Sequence, residues 1–242
     1  MDKSSKNHIE SPKGNRGRFG SPVPLTRIQK LIGKRMLSAK QNKPCFYIEL
    51  KADATELMDL RPKLSKSFGV KITSNAFFIR ALALAVKEYP LMVGRLEADN
   101  IKIADHVNVG FAVNAPQGLV VPVIKDADKK TLAEIARLEK LLTEKARSNK
   151  LMLEEMQAET IALSNLGAYV IDSFVGIVPP PTSTILAVGN VIPTVVCKDG
   201  KTTTRKMVSL TLAVDRRVIN EVYAAQFLSF IKEQLQNTKE LV

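Results

Sequence analysis

The segment Ser74–Tyr89 is apolar nearly all the way round a helix. Such a helix has no face to offer water and must be buried by other elements. Its richest stretch, Asn75–Val86, is interrupted by Arg80, so no window reaches the ~18 uninterrupted apolar residues of a membrane span. A body that encloses such a helix needs length. The chain has 242 residues, 45% apolar and 25% charged, an ordinary globular balance. That is enough to bury most of its surface without a disulfide or a metal.

The other elements alternate irregularly. A threonine cap at Thr26 precedes a helical run with Ile28, Ile32 and Met36 at four-residue spacing. Phe46–Ala52 alternates as a strand and Thr55–Ser67 reads as a helix. Ile101–Ile124 is β-rich, with His106 at the start of a strand and a turn at Asn114–Gly118. Leu132–Arg147 is a charged amphipathic helix. Strands at Thr160–Ser164 and Thr184–Val191 flank the Pro179-Pro180-Pro181 run, which no central strand accommodates. A turn around Asp199-Gly200 leads into a strand at Lys206–Val214, and a last helix runs from about Asn220 to Gln236. Strands and helices in this order predict a mixed α/β sandwich rather than a doubly wound fold.

Charge is uneven. Residues 1–40 hold ten Lys/Arg against Asp2 and Glu10, a net of +8 out of the chain's +12, which leaves +4 for the other 202 residues. Residues 1–24 are rich in Ser, Pro, Gly and basic side chains and read as a flexible basic linker or tail. Only Phe19 supplies an aromatic there and no zinc or helix-turn-helix spacing follows, so nucleic acid is not the expected partner. Cys45 and Cys197 lie far apart and form no metal or redox spacing. They read as free thiols of a reducing compartment, the cytoplasm or, in a eukaryote, the mitochondrial matrix. No secretory or transit pattern opens the chain. Of the two histidines, His8 falls in the tail and His106 reads as structural.

Five collinear segments carry a resemblance. They are Pro24-Leu-Thr-Arg-Ile-Gln-Lys-Leu-Ile-Gly-Lys-Arg-Met36, Gly118-Leu-Val-Val-Pro-Val-Ile-Lys-Asp-Ala-Asp128, Thr160-Ile-Ala-Leu-Ser-Asn-Leu-Gly167, Pro180-Pro-Thr-Ser-Thr-Ile-Leu-Ala-Val-Gly189 and Leu210-Thr-Leu-Ala-Val-Asp-Arg-Arg-Val-Ile219. Over residues 25–242 the chain resembles the catalytic domain of the dihydrolipoyl acyltransferases, the core-forming subunits of 2-oxo-acid dehydrogenase complexes. The resemblance implies a chloramphenicol-acetyltransferase-like two-layer sandwich with a mixed sheet, forming trimers with active sites at subunit boundaries. Coenzyme A would be a substrate, entering from one side and a dihydrolipoyl arm from the other. No lipoyl domain, lipoyl attachment site, peripheral-subunit-binding domain or metal is expected in this chain.

The family's signature, Asp-His-Arg-x-x-Asp-Gly, supplies a histidine that takes the proton of the attacking thiol. A serine of the Ser-Asn-Leu-Gly strand, here Ser164, would bond the oxyanion of the tetrahedral intermediate; the bland alternative is a satisfied strand serine. The chain reads Asp215-Arg216-Arg217-Val218-Ile219-Asn220-Glu221. Arg216 stands in place of the histidine, Asn220 in place of the second Asp and Glu221 in place of the Gly. Arginine offers donors only and stays protonated, so it accepts no thiol proton near neutrality. Cys45 stands where the family commonly has histidine after proline, and Pro179 where it has asparagine. Two readings follow. In the favoured one the chain is a catalytically silent, structural or binding subunit, analogous to protein X, partnered by itself or by other subunits of a complex. In the alternative it is an active CoA-dependent acyltransferase with a rearranged site, in which Arg216 binds an anion and another group, Glu221 first, serves as base.

Overall fold

The architecture comes from a computed structural model that describes residues 19–242 apart from Gln117 and Asp199. The basic tail foreseen over residues 1–24 lies mostly outside the described residues, as does Gln117 of the Asn114–Gly118 turn and Asp199 of the later one. Thr26 and Gln29 cap each other reciprocally and open α1 (Arg27–Asn42) where the threonine signal placed it. Next come β1 (Cys45–Asp53), α2 (Thr55–Ser67) and α3 (Ser74–Glu88). Nine α3 side chains, among them Phe77, Phe78, Ile79 and Leu82, are buried. This is the helix that could face no water, and it lies between α4 (Leu132–Arg147) and α5 (Glu221–Gln236).

One mixed sheet forms the second layer. Its strands, in spatial order, are β1, β10 (Lys201–Asp215), β9 (Thr184–Lys198), β8 (Ile161–Asn165), β4 (Val109–Phe111) and β7 (Val123–Ile124). β8 runs parallel to both of its neighbours and the other pairings are antiparallel. β1 shows why one face takes the helices: Phe46, Ile48 and Leu50 point into the main core while Tyr47, Glu49 and Lys51 are exposed. On the opposite face Ala162, Val178, Ile185 and Ala213 make a small separate cluster with Cys45, roofed by the chain between β8 and β9. Two hairpins stand apart: β2 (Gly94–Glu97) with β3 (Asn100–Ile103), and β5 (Val113–Ala115) with β6 (Gly118–Val120).

Three expectations change. β9 and β10 extend to the turn at residues 199–200, well past Val191 and before Lys206: the added end of β10 is Thr- and Lys-rich, and that of β9 leaves Val195 68% exposed. Apolar alternation reports burial rather than pairing, so it stops where burial stops. His106 lies in the loop before β4 and starts no strand. The β2–β3 hairpin opens before Ile101, and all of its residues after Gly94 are exposed, which removes the alternation that would have marked it.

Candidate active site

β10 ends in a corner held from both sides. The Asp215 N–H donates to Ser183 O at 2.9 Å and the Arg216 N–H to Pro44 O at 3.0 Å, so the backbone is fixed between β1 and the roof loop. The Asp215 carboxylate is 2% exposed. Arg217 straps it with Nε–Oδ1 at 3.0 Å and Nη2–Oδ2 at 2.7 Å, and the Arg217 N–H adds a third bond at 3.1 Å. This pairing with Asp215 raises the Arg217 pKa further. Val218 and Ile219 N–H groups both donate to Asp215 O, which turns the chain into α5.

Arg216 points outward. Its Nε donates to Glu221 Oε1 at 2.7 Å, and both side chains are more than half exposed. Asn220 is the N-cap of α5, its Oδ1 accepting the Tyr223 N–H at 2.9 Å. Glu221 opens the helix with ordinary helical backbone, so no glycine is needed at this position. A bond from its own N–H, with Arg216 adding to it, holds the Glu221 carboxyl below the usual carboxylate range. A carboxylate made less basic is a poorer proton acceptor, which counts against Glu221 as base.

The neighbouring groups supply no substitute. Cys45 pairs with Asp215 across the strands; burial, and after it the Asp215 charge, push the thiol pKa up, which keeps it protonated and unreactive. Burial draws the Lys43 amine below its ordinary value. It donates to Pro179 O at 3.2 Å and to Thr182 O, two acceptors that favour its protonated form. His106 bonds Asp126 at 2.8 Å on a surface loop away from the corner.

Ser164 lies elsewhere on the sheet. It is opposite Ala187, which is opposite Thr211, which is opposite Glu49. Its half-buried hydroxyl has no hydrogen-bond partner among the described residues. Arg216 is five positions beyond Thr211 and two strands away from β8. At about 3.4 Å per residue and 4.8 Å per strand, the separation is roughly 20 Å. One chain therefore joins Arg216 with Asn220 and leaves Ser164 apart.

A polar chain that the sequence did not disclose holds the Ser164 turn. Asn165 Oδ1 accepts the Gly167 N–H at 2.9 Å, and Asn165 Nδ2 reaches Asn75 Oδ1 at 3.5 Å. Asn75 Nδ2 and Thr73 Oγ1 then donate to the buried Glu139 carboxylate on α4, at 3.3 and 2.5 Å. Gly167 is required: a Cβ there would meet Gly189 O at 2.6 Å. Only the Asn-Leu-Gly run hinted at this turn, since Glu139 looks like one more charge on an amphipathic helix. Burial raises the Glu139 pKa. Its folded value lies above the unfolded ~4.3, so the contribution of this group to stability is fully present below about pH 4.3 and is lost as pH rises through the folded value. Glu139→Gln is expected to flatten that decline, read as urea midpoints between pH 4 and 8; an unchanged slope would mean that the carboxyl titrates normally.

The two-layer sandwich with a mixed sheet is a fold shared with chloramphenicol acetyltransferase, at a TM-score of 0.55 and 12% identity over 84% of this chain and 94% of that one. Residues 20–242 match the family model for the 2-oxoacid dehydrogenases acyltransferase (catalytic domain), and the chain belongs to that family. The dihydrolipoyllysine-residue acetyltransferase component of the Rickettsia prowazekii pyruvate dehydrogenase complex is 36% identical over 219 residues, 89% of this chain and 54% of that protein. The mouse mitochondrial pyruvate dehydrogenase protein X component is 33% identical over 224 residues, 90% of this chain and 44% of that protein. The chain thus spans about half the length of the curated relatives it matches. Among solved structures, the Azotobacter vinelandii dihydrolipoamide acetyltransferase superposes with a TM-score of 0.88 at 31% identity, over 96% of this chain and 99% of that one. There, the roles of a serine, a histidine and an asparagine in the catalytic mechanism have been investigated. Its histidine follows the serine by 52 positions and its asparagine follows the histidine by four, the intervals that separate Ser164, Arg216 and Asn220.

Proposed function

We propose that the chain is a catalytically silent acyltransferase-like subunit that keeps the family's scaffold and serves as a structural or binding component of a 2-oxo-acid dehydrogenase complex. The carrying observation is the Arg216–Glu221 ion pair, which occupies the position of the base with a permanent cation. In acyl transfer between CoA and dihydrolipoamide, the attacking thiol must give up its proton as its sulfur adds to the thioester carbonyl. That proton must then return to the departing CoA thiolate. A guanidinium takes no part in either transfer. Among the described residues around the corner, Asp215 is strapped by Arg217, Glu221 is made less basic, Cys45 holds its proton, and the Lys43 amine is engaged by Pro179 O and Thr182 O.

Asn220 does not add to the case for silence. An asparagine at the same interval is among the residues whose catalytic role was investigated in the Azotobacter enzyme, so an arrangement with Asn220 is a workable one, and the deficiency narrows to Arg216. A homotrimer or a larger assembly, alone or with other subunits of the complex, is the proposed state, in the cytoplasm or, in a eukaryote, the mitochondrial matrix. No helix among the described residues is long and apolar enough to cross a membrane, and no cluster among them could hold a metal ion. The test is acetyl transfer from acetyl-CoA to dihydrolipoamide by the purified native chain. The expected rate equals that of the buffer control. Turnover within about tenfold of a variant carrying histidine at position 216 would overturn the reading and point to an unrecognised base.

A further inference from the structure

Both oxygens of the Glu139 carboxylate face donors whose direction the backbone sets. The Gly167 N–H donates, so Asn165 presents Oδ1 to it at 2.9 Å. That leaves Asn165 Nδ2 for Asn75, which answers with Oδ1 at 3.5 Å and so turns its own Nδ2 to Glu139 Oε1 at 3.3 Å. On the other side Thr73 caps α3. Its Oγ1 accepts the Ala76 N–H at 3.0 Å, and its proton goes to Glu139 Oε2 at 2.5 Å. Two backbone N–H groups thus aim two relays at one carboxyl that is 8% exposed, and both relays call for an acceptor. No cation pairs with it among the described residues. Of the elements packed on α4, β5 and β7 contain no charged residue; α3 has Arg80, which donates to Asp128 O, and Lys87 and Glu88, both exposed at its far end. Lys71, ahead of Thr73, is exposed, and one turn away on α4 lie Ile135, Ala136, Leu142 and Thr143.

We propose that Glu139 is a proton switch for the turn that follows Ser164: ionised, it holds the turn through Asn75 and Asn165, and protonated, it releases it. A protonated carboxyl is a donor at one oxygen. The Thr73 bond is short and the Asn75 bond long, so the added proton goes to Oε1, where the weaker partner is displaced. Asn75 meets that proton by turning its Oδ1 to it and its Nδ2 to Asn165. Asn165 must then reverse in turn, and its Nδ2 faces the Gly167 N–H, donor against donor. The Leu166 N–H keeps its bond to Val188 O at 3.1 Å in either state, so Ser164 stays in the sheet and the freedom appears at Gly167, where the roof loop begins. Burial raises the Glu139 pKa, so release comes at a higher pH than for a glutamate at ~4.3. The turn is held above the folded value and loose below it. This is opposite in sign to the group's effect on global stability, because burying the charge costs the fold while the ionised form orders the turn. None of this depends on the silent-subunit reading.

The experiment follows the two ends of the relays by NMR, with the native chain labelled with nitrogen-15 at alanine and glycine. The Ala76 and Gly167 amide signals are expected to shift between pH 4 and 8 with one common midpoint, above that of an ordinary glutamate. Hydrogen exchange at Gly167, with the intrinsic pH dependence removed, is expected to run roughly five- to tenfold faster below the midpoint, the worth of one hydrogen bond. Asn75→Ala cuts the relay to the turn and spares the other, so Ala76 should go on titrating while Gly167 stops. Glu139→Gln should silence both. Its side-chain carbonyl still accepts from Asn75, so Gly167 should stay protected over the whole range. A Gly167 signal that does not share the Ala76 midpoint in the native chain overturns the proposal. So does one that still titrates with that midpoint in either variant. Should Asn75→Ala fail to fold, the native chain and Glu139→Gln decide between the same outcomes.

Discussion

Replacing Arg216 by histidine and Glu221 by glycine, with Asn220 left in place, is expected to raise acetyl transfer to dihydrolipoamide by about 10²–10⁴ over the native chain, the usual contribution of a positioned general base. The backbone on which the imidazole would stand is already fixed. Residue 216 donates to Pro44 O, residue 215 to Ser183 O, and neither bond involves a side chain that the change removes. Asn220 goes on capping α5 through its bond from Tyr223. The second substitution matters because Glu221 now contacts the side chain at 216. A carboxylate left beside an imidazole favours the charged form and so raises its pKa, which withdraws the neutral base near neutrality. Arg216→His alone is therefore expected to gain less than the pair, and its rate to rise at higher pH than the pair's, whose profile should follow an imidazole near ~6.5. Rates of the three proteins across pH 5.5–8.5 check both statements. No gain in either variant would show that the chain has lost more than its base.

The scaffold was legible in the sequence and the separation of Ser164 from Arg216 within the chain was not. α3 announced its burial because nine of its side chains are apolar and enclosed. The cap at Thr26 announced itself through local bonding that depends on neighbours a few residues away, and α4 through its charged amphipathic pattern. Arg216 was legible as a permanent cation where the family's signature has histidine, because guanidinium chemistry does not depend on context. Its partnership with Glu221 was less plain: a first-turn glutamate is favourable at any helix start, and only the geometry shows it turned toward position 216. The support behind Ser164 joins residues from α3, α4 and β8, a long-range arrangement for which a periodicity carries no sign. The same is true of the distance between Ser164 and Arg216, which strand pairing sets.

Arg217→Ala is expected to cost about 2–3 kcal/mol in urea unfolding, a loss that has nothing to do with catalysis. Asp215 is 2% exposed, and its carboxylate would keep only the Arg217 backbone N–H. Stranding one member of an enclosed ion pair costs about 3–5 kcal/mol. The figure here is set lower because the Arg217 side chain is 41% exposed and its attraction is partly screened by water. The cause is identifiable by a double change. Asp215→Asn with Arg217→Ala removes the charge along with its partner and should recover part of the loss, since most of the penalty belongs to the uncompensated carboxylate. A loss for Arg217→Ala below about 0.5 kcal/mol would class the pair with ordinary surface pairs. The expected size has a consequence for the whole corner. Asp215 and Arg217 flank Arg216 on both sides and are held there by folding, because the turn into α5 is built on Asp215 through Val218 and Ile219. The exposed side chain between them carries no such duty. A chain can lose its base at position 216 at little cost to the fold, but it cannot lose residue 215 or 217 so cheaply, and the altered signature keeps both.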